Sequence, residues 1–299
     1  MASPSTPMHG KLGALYVLRP NGFSGNGLND ATWGVGSTAA DLTYYEVEID
    51  HTDASPDSFK WRVNGGAYTE NVDITGAAQA LGADGQEITF AAIDGHTVGD
   101  RWVIGNLKDE ACTVVGSVAT ITDATARLLN PNAPPTFTPT EAVQELTKNF
   151  SGGSATFAAA PGVTTVTGNN GYVPAAALRK VGYLIDWSLN ITLDMADCSR
   201  MGQNWKEALP GQAGATGSAN AYFIGSDTLL SCLQEAIAAG DKYFLLQLFN
   251  YDPDQDQTGD HINVWVTFTS FQVGADIGSV VKEAINFQVF GEPSFVANV

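Results

Sequence analysis

Residues 252–261 read DPDQDQTGDH, and Asp252, Asp254, Asp256 and Asp260 are residues of the type that ligate hard cations. A helix-loop-helix calcium loop takes oxygen ligands at positions 1, 3 and 5, glycine at 6 and glutamate at 12. Counted from Asp252, position 6 is Gln257 and position 12 is Asn263, while Pro253 opposes a helical entry. That pattern fails. The four aspartates remain a candidate cation loop, with a polar turn between strands as the alternative.

The other candidate for chemistry is GHTVGDRW, residues 95–102, in which His96 is a possible base and Asp100 the carboxylate that would orient it. No serine or cysteine nucleophile stands near it in sequence. The histidines at 9, 51, 96 and 261 are scattered, and Cys112, Cys198 and Cys232 are odd in number, far apart and without CxxC spacing. GxSxG, HExxH and phosphate-loop patterns are absent. No catalytic residue, cofactor or metal is expected. The tryptophans at 33, 61, 102, 187, 205 and 265 fit strand cores better than sugar-stacking platforms.

The elements that must position these residues read as β-strands. Charged residues make up 15% of 299 residues, below the usual quarter, and glycine, serine, threonine and asparagine are plentiful. With 14 Lys plus Arg against 32 Asp plus Glu, the net charge of -18 excludes a surface that grips nucleic acid by neutralising phosphates. No run approaches a membrane span and the start carries no signal sequence, so a cytosol-like site of synthesis is expected.

The pattern predicts a strand within 10–18 and an arm to residue 40. A small all-β module follows over 41–105, from the runs LTYYEVEI, DSFKWRV, EITFAAI and DRWVIG. A return strand and the Pro-rich LLNPNAPPTFTPT (128–140) fill 106–142 as an arm or linker. Residues 143–299 hold the longest regular patterns. GYLIDWSLNITLD (182–194) alternates, with Tyr183, Ile185, Trp187, Leu189, Ile191 and Leu193 on its apolar side. YFLLQLF (243–249) suits a strand covered on both faces and should form a hairpin with INVWVTFTSF (262–271), whose acidic loop is then DPDQDQTGDH. A helix over 227–239 is predicted from its cap, its Leu229, Leu230, Leu233, Ile237 stripe and the closing Gly240.

The polar strand faces carry more information than the motifs. Asp186, Ser188, Asn190, Thr192 and Asp194 alternate with the apolar side of one strand, and Asn286 and Gln288 with that of another, with no Lys or Arg among them. An ordinary wet sheet face mixes both charge signs. These faces suit a surface that lines something and stays hydrated. Trp265, which alternates with Asn263, Thr267 and Thr269, fits such a face poorly.

From about Lys180 onward the chain resembles the tail tube (major tail) protein of long-tailed, non-contractile (siphovirus-like) bacteriophages. The likeness lies in the order of GYLIDWSLNITLDMADCSRMGQNWKEALPG, a small-residue join GQAGATGSANAYF, the helix SDTLLSCLQEAIAAG, the hairpin YFLLQLFNYD to HINVWVTFTSF, and VVKEAINFQVFGEPSF; HGKLGALYVL fits the family's first strand. Residues 41–105 resemble a small β module inserted in phage virion proteins.

The resemblance implies a mainly β fold, a β-sandwich that builds a barrel, with one flanking helix and the module on the tube exterior. It implies a structural, non-enzymatic virion protein whose six-membered rings stack into a conduit for genome DNA. Implied partners are further copies, tape measure and tail terminator proteins, and DNA that passes without specific binding or membrane insertion. The place is the virion tail, assembled in the host cytoplasm. On this reading Asp186, Ser188, Asn190, Thr192, Asp194, Asn286 and Gln288 line the channel, and Asp252, Asp254 and Asp256 lie between rings. The alternatives are another virion β-sandwich, such as a capsid decoration or baseplate protein, and a carbohydrate-binding surface protein.

Overall fold

The computed structural model describes residues 14–19, 22–34, 39–40, 42–115, 118–122, 129–130, 136–138, 142–143, 146–151, 154–158, 165–181, 184–197, 208–222, 233–234, 237–238, 240, 243–250, 261–274 and 282–296. Most of them are in antiparallel sheets.

The largest unit of the second half is a seven-stranded sheet. Its order is Arg179–Lys180, Ala14–Leu18, Phe244–Phe249, His261–Gly274, Lys282–Val296, Ala208–Tyr222 and Leu184–Asp197. The alternation predicted for these segments is what places them. Leu15, Val17, Phe244, Leu246, Leu248, Val264, Val266, Phe268, Ile285, Phe287 and Val289 all reach one core on one face of the sheet. Leu233 and Ile237 pack into the same core, and residues 233–234 and 237–238 are helical, so this is the helix side. The rest of the predicted helix lies outside the described residues. Gly240 takes a φ of +79° just past it and donates to the Ile237 carbonyl, as a helix-ending glycine does.

Phe244–Phe249 is covered on both faces as its continuous apolar run predicts. Leu245 points away from the helix side into a second core with Leu18, Val103, Leu107, Leu129, Val173 and Trp265. That core lies against an eight-stranded sheet whose main path runs Ala142–Val143, Thr136–Thr138, Thr165–Tyr172, Arg101–Ala111, Tyr44–His51, Ser58–Val63 and Thr69–Asp73, with Phe23–Ser24 also paired to Arg101–Ala111. A third core fills the other end of this sheet: Tyr45, Val47, Ile49, Phe59, Ile88, Phe90, Trp102 and Ile104 pack beneath the three-stranded sheet Ala31–Trp33, Glu87–Phe90, Gln79–Ala80. The one strand Arg101–Ala111 serves both cores, Trp102 and Ile104 facing the third and Val103 and Leu107 the second. Phe23, Ala31 and Trp33, from the stretch read as an arm, belong to the third core too.

Three sequence expectations are corrected. GQAGATGSANAYF is no join but most of the strand Ala208–Tyr222. Its small residues are needed inside the sheet, since a Cβ at Gly217 would collide with the Phe287 ring and the Ser188 carbonyl. Part of LLNPNAPPTFTPT is sheet rather than free linker: Thr136–Thr138 pairs with Thr165–Tyr172, and Leu129 and Asn130 are buried. Finally, Ile191 and Leu193 are exposed, not core, because the sheet's covered region ends before them.

Candidate functional site

The polar positions of the long strands meet on one face. Antiparallel register puts Asn190 opposite Thr216, Thr216 opposite Gln288, and Gln288 opposite Thr267. The next row is Ser188, Ser218, Asn286 and Ser270, and Asp186 stands opposite Asn220. Neighbours in these rows bond to each other: the Ser188 and Ser218 hydroxyls are 2.9 Å apart, Asn220 Nδ2 donates to Asp186 Oδ1 at 2.6 Å, and Asn286 Nδ2 donates to Ser270 Oγ at 2.8 Å. Thr192 Oγ1 donates to the Gly214 carbonyl at 3.4 Å. Asp186, Ser188, Asn190, Thr192, Asp194 and Gln288 are exposed and Asn286 is half-buried. Across residues 184–194, 214–220 and 284–288 there is no Lys or Arg.

Ladders of hydroxyls and amides of this kind are held by cross-strand pairing rather than by burial. Sequence reasoning missed the third strand of the face, with Thr216, Ser218 and Asn220, because its glycines and alanines hide the period-two signal.

The place of Trp265 follows from the same register. Trp265 pairs with Phe290, and two residues along Thr267 pairs with Gln288, so all four side chains share a face. Under the eight-stranded sheet that face is apolar, with Trp265 3% exposed. Beyond that cover it turns polar and open. Trp265 is thus on the polar side but in its roofed part.

Two edges of this sheet have no ladder partner among the described residues. Leu184–Asp197 is the last strand of the sheet. Phe244–Phe249 pairs with only 261–266 of His261–Gly274, which leaves 267–274 open on that side. The flanks of the acidic stretch do form the predicted hairpin, Phe249 opposite His261 with their rings stacked at 4.6 Å. Asp252, Asp254, Asp256 and Asp260 lie outside the described residues, and among the described residues no cluster of metal-ligating side chains exists.

The pairing of His96 with Asp100 is overturned. His96 is buried, with Nδ1 3.0 Å from Asp57 Oδ2 and Nε2 3.1 Å from Asp30 Oδ1. Asp100 instead accepts from the backbone N–H groups of Gly27 and Thr97 at 3.0 and 2.8 Å. Both carboxylates and the ring are therefore spent on pinning loops around the third core, and Phe90 and Trp102 pack edge-on to the imidazole.

A second buried ionic group lies on the opposite face of the same strands. Glu46, fully buried, accepts from Arg62 Nε and Nη2, both at 2.9 Å, and from Arg101 Nη2. Arg101 also donates to the Ala176 carbonyl at 3.0 Å, and Arg179 Nε to Ser24 Oγ at 3.4 Å. Burial works to raise the Glu46 carboxyl, but the hydrogen bonds from Arg62 and Arg101 outweigh it and hold it below the usual carboxylate range. Burial lowers the Arg179 guanidinium, helped by the charge of Arg101.

No protein-family model matches the chain, and no curated protein matches it. Among solved structures it is similar to a chain in the virion of a native gene transfer agent (GTA) particle, at 17% identity and a TM-score of 0.34 over 42% of this chain and 92% of the other. A chain in the tail of an empty GTA particle with C6 symmetry aligns at 16% identity and a TM-score of 0.35, over 41% and 89% of the two chains. The SPP1 tail tube aligns at 13% identity and a TM-score of 0.34, over 41% and 69%.

Proposed function

We propose that this chain is a phage-type tail tube subunit: a structural virion protein, not an enzyme, whose rings stack into a hollow tube through which genome DNA leaves the particle. The observation that carries this reading is one wet face bounded by two open sheet edges that match each other. Leu184–Asp197 offers Asp186 and Ser188 on one side and Trp187 and Leu189 on the other. The open half of His261–Gly274 offers Thr267 and Thr269 on one side and Phe268 and Phe271 on the other. Joined between copies, the two edges keep polar beside polar and apolar beside apolar. A contact between two different edges is head-to-tail, and such contacts close rings while leaving no strand edge bare. The count of six is taken from the tail tube resemblance in the sequence.

In such a ring the hydroxyl and amide face lines the channel. A wall without Lys or Arg, in a chain of net charge -18, holds water and repels phosphates, so a polyanion slides past it without being gripped. The acidic loop, including Asp252, Asp254 and Asp256, joins strands at the sheet end that faces the adjacent ring. The module around the third core stands on the outside of the tube, and tape measure and terminator proteins meet the channel and the tube's end. The finished protein belongs to the virion tail and is assembled in the host cytoplasm.

Negative-stain microscopy of the purified chain tests this. Hollow tubes or six-membered rings are expected; monomers or trimers alone, at concentrations where virion proteins assemble, overturn the reading.

A further inference from the structure

The helix-side face of the seven-stranded sheet is covered at one end and bare at the other. Leu184, Trp187 and Leu189 pack on the core with Leu233 and Ile237. Farther along the same strand Ile191, Leu193 and Met195 are 51%, 51% and 58% exposed, and Phe295, two strands away on the same face, is 61% exposed. Singly exposed apolar side chains need no explanation, but four at one end of one face of the sheet form a patch.

The backbone is as unsupported as the side chains. Ala208–Tyr222 pairs with Lys282–Val296 only over 216–222, so residues 208–215 bond to Leu184–Asp197 alone among the described strands. The cause is local: Lys282–Val296 carries an irregularity between Phe290 and Ser294, and Gly291 there takes a φ of +82°. Between the projecting hairpin and residues 289–295 lies a cleft of about 580 Å³ walled by Ile191, Ala213, Val289, Pro293 and Phe295. A two-stranded hairpin standing alone in water is marginal at best, and this one carries its apolar side outward.

We propose that this bare apolar end is the surface on which a second copy of the chain stacks end to end, an apolar segment of that copy entering the cleft. The inference rests on the tube reading above and says what holds one ring to the next. Three observations favour a second copy. Ile191, Leu193 and Met195 sit on the very strand whose open edge is matched by another edge of this chain, so the patch continues a surface already directed at a copy. If edges join side by side, the strands run along the tube, and the end of the hairpin points at the next ring.

Charge supplies the third observation. Copies of net charge -18 repel, and of 14 basic residues Lys60, Arg62 and Arg101 are engaged with Glu48 and Glu46 within the chain. Apolar contact supplies an attraction between such copies that needs no opposite charges.

The test uses the full chain with Ile191→Asp and Leu193→Asp together, and a milder pair, Ile191→Thr and Leu193→Thr, which keeps strand propensity should the first fail to fold. Microscopy and sedimentation are read at low and raised NaCl. The Asp pair is expected to give rings without tubes, the Thr pair tubes at least several-fold shorter, and the wild-type chain tubes that persist or lengthen as salt screens the repulsion. Tubes of wild-type length from either pair overturn the proposal, as do wild-type tubes that fall apart in salt. An Asp pair that is folded by circular dichroism yet only monomeric also overturns it, by moving the patch into the ring. A wild-type chain that forms neither rings nor tubes overturns the tube reading itself, which separates the two failures.

Discussion

The indole Nε1 of Trp187 donates a hydrogen bond of 3.1 Å to the carbonyl oxygen of Phe249. Three strands stand between theirs in the sheet order, so the bond is possible only because the sheet curls over its helix-side core. It fastens the edge strand, which carries the polar face, to the strand that enters the acidic loop. Trp187→Phe, which keeps the ring and loses the donor, should cost about 1 kcal/mol. Trp187→Ala should cost about 3–5 kcal/mol. Urea denaturation of unassembled protein measures both, and equal costs would mean that the bond contributes nothing.

Gly217 lies where the Phe287 ring and the Ser188 carbonyl leave no room for a Cβ. Gly217→Ala should therefore destabilise by about 1–3 kcal/mol through overpacking, against the usual gain from replacing a strand glycine. The same change at Gly214, where the nearest atom to a Cβ is the Thr192 hydroxyl at 3.8 Å, should be close to neutral or stabilising. Thermal melts of the two variants compare them directly.

The Glu46 carboxyl is held low by Arg62 and Arg101 against the effect of its burial, and the sign of the pH dependence follows. A carboxyl with a lowered folded-state value contributes stability that is fully present above its ordinary value of 4.5 and is lost as pH falls through the lowered one. At neutral pH Glu46→Gln should cost on the order of 3 kcal/mol, because it leaves two guanidinium groups without their anion. The gap between wild type and variant should close as the solution is acidified below that range. A gap that stays constant from neutral pH down to strong acid would contradict the assignment.

Placing cations on the polar face tests its role apart from its fold. Asn190→Arg and Thr192→Lys are exposed changes that should leave ring formation and stability within about 0.5 kcal/mol of wild type. Particles built with them should eject DNA more slowly, most of all at low ionic strength, when ejection is followed by dye fluorescence. Unchanged ejection at every salt concentration would remove the channel role from this face. Added chelator should leave tube stability unchanged, since the aspartates at 252–260 are read as a repelling loop and not a calcium site.

The strands of the second half were legible because alternation survives wherever one face is covered: Val264, Val266 and Phe268, or Ile285, Phe287 and Val289, declare both strand and facing. The alternation failed as a guide at Ile191 and Leu193, whose pattern continues past the end of the covered region. It was silent at Ala208–Tyr222, where packing against Phe287 demands side chains too small to show a period. His96 was drawn to Asp100 by proximity in sequence, whereas Asp57 and Asp30, its partners, stand 39 and 66 residues away.

By itself the sequence determined the β class, the acidic balance, the hairpin around the acidic loop and the polar composition of two strand faces, since each depends only on local periodicity or on a count of charges. The tertiary structure alone decided which faces are roofed, which edges stay open and where the hairpin leaves the sheet. Those depend on register, and register is set by contacts between residues remote in sequence, such as Ser188 with Ser218 or Trp187 with Phe249. Trp265 shows the difference in one residue. Its side of the strand follows from parity, while its burial follows from the second sheet that happens to lie over it.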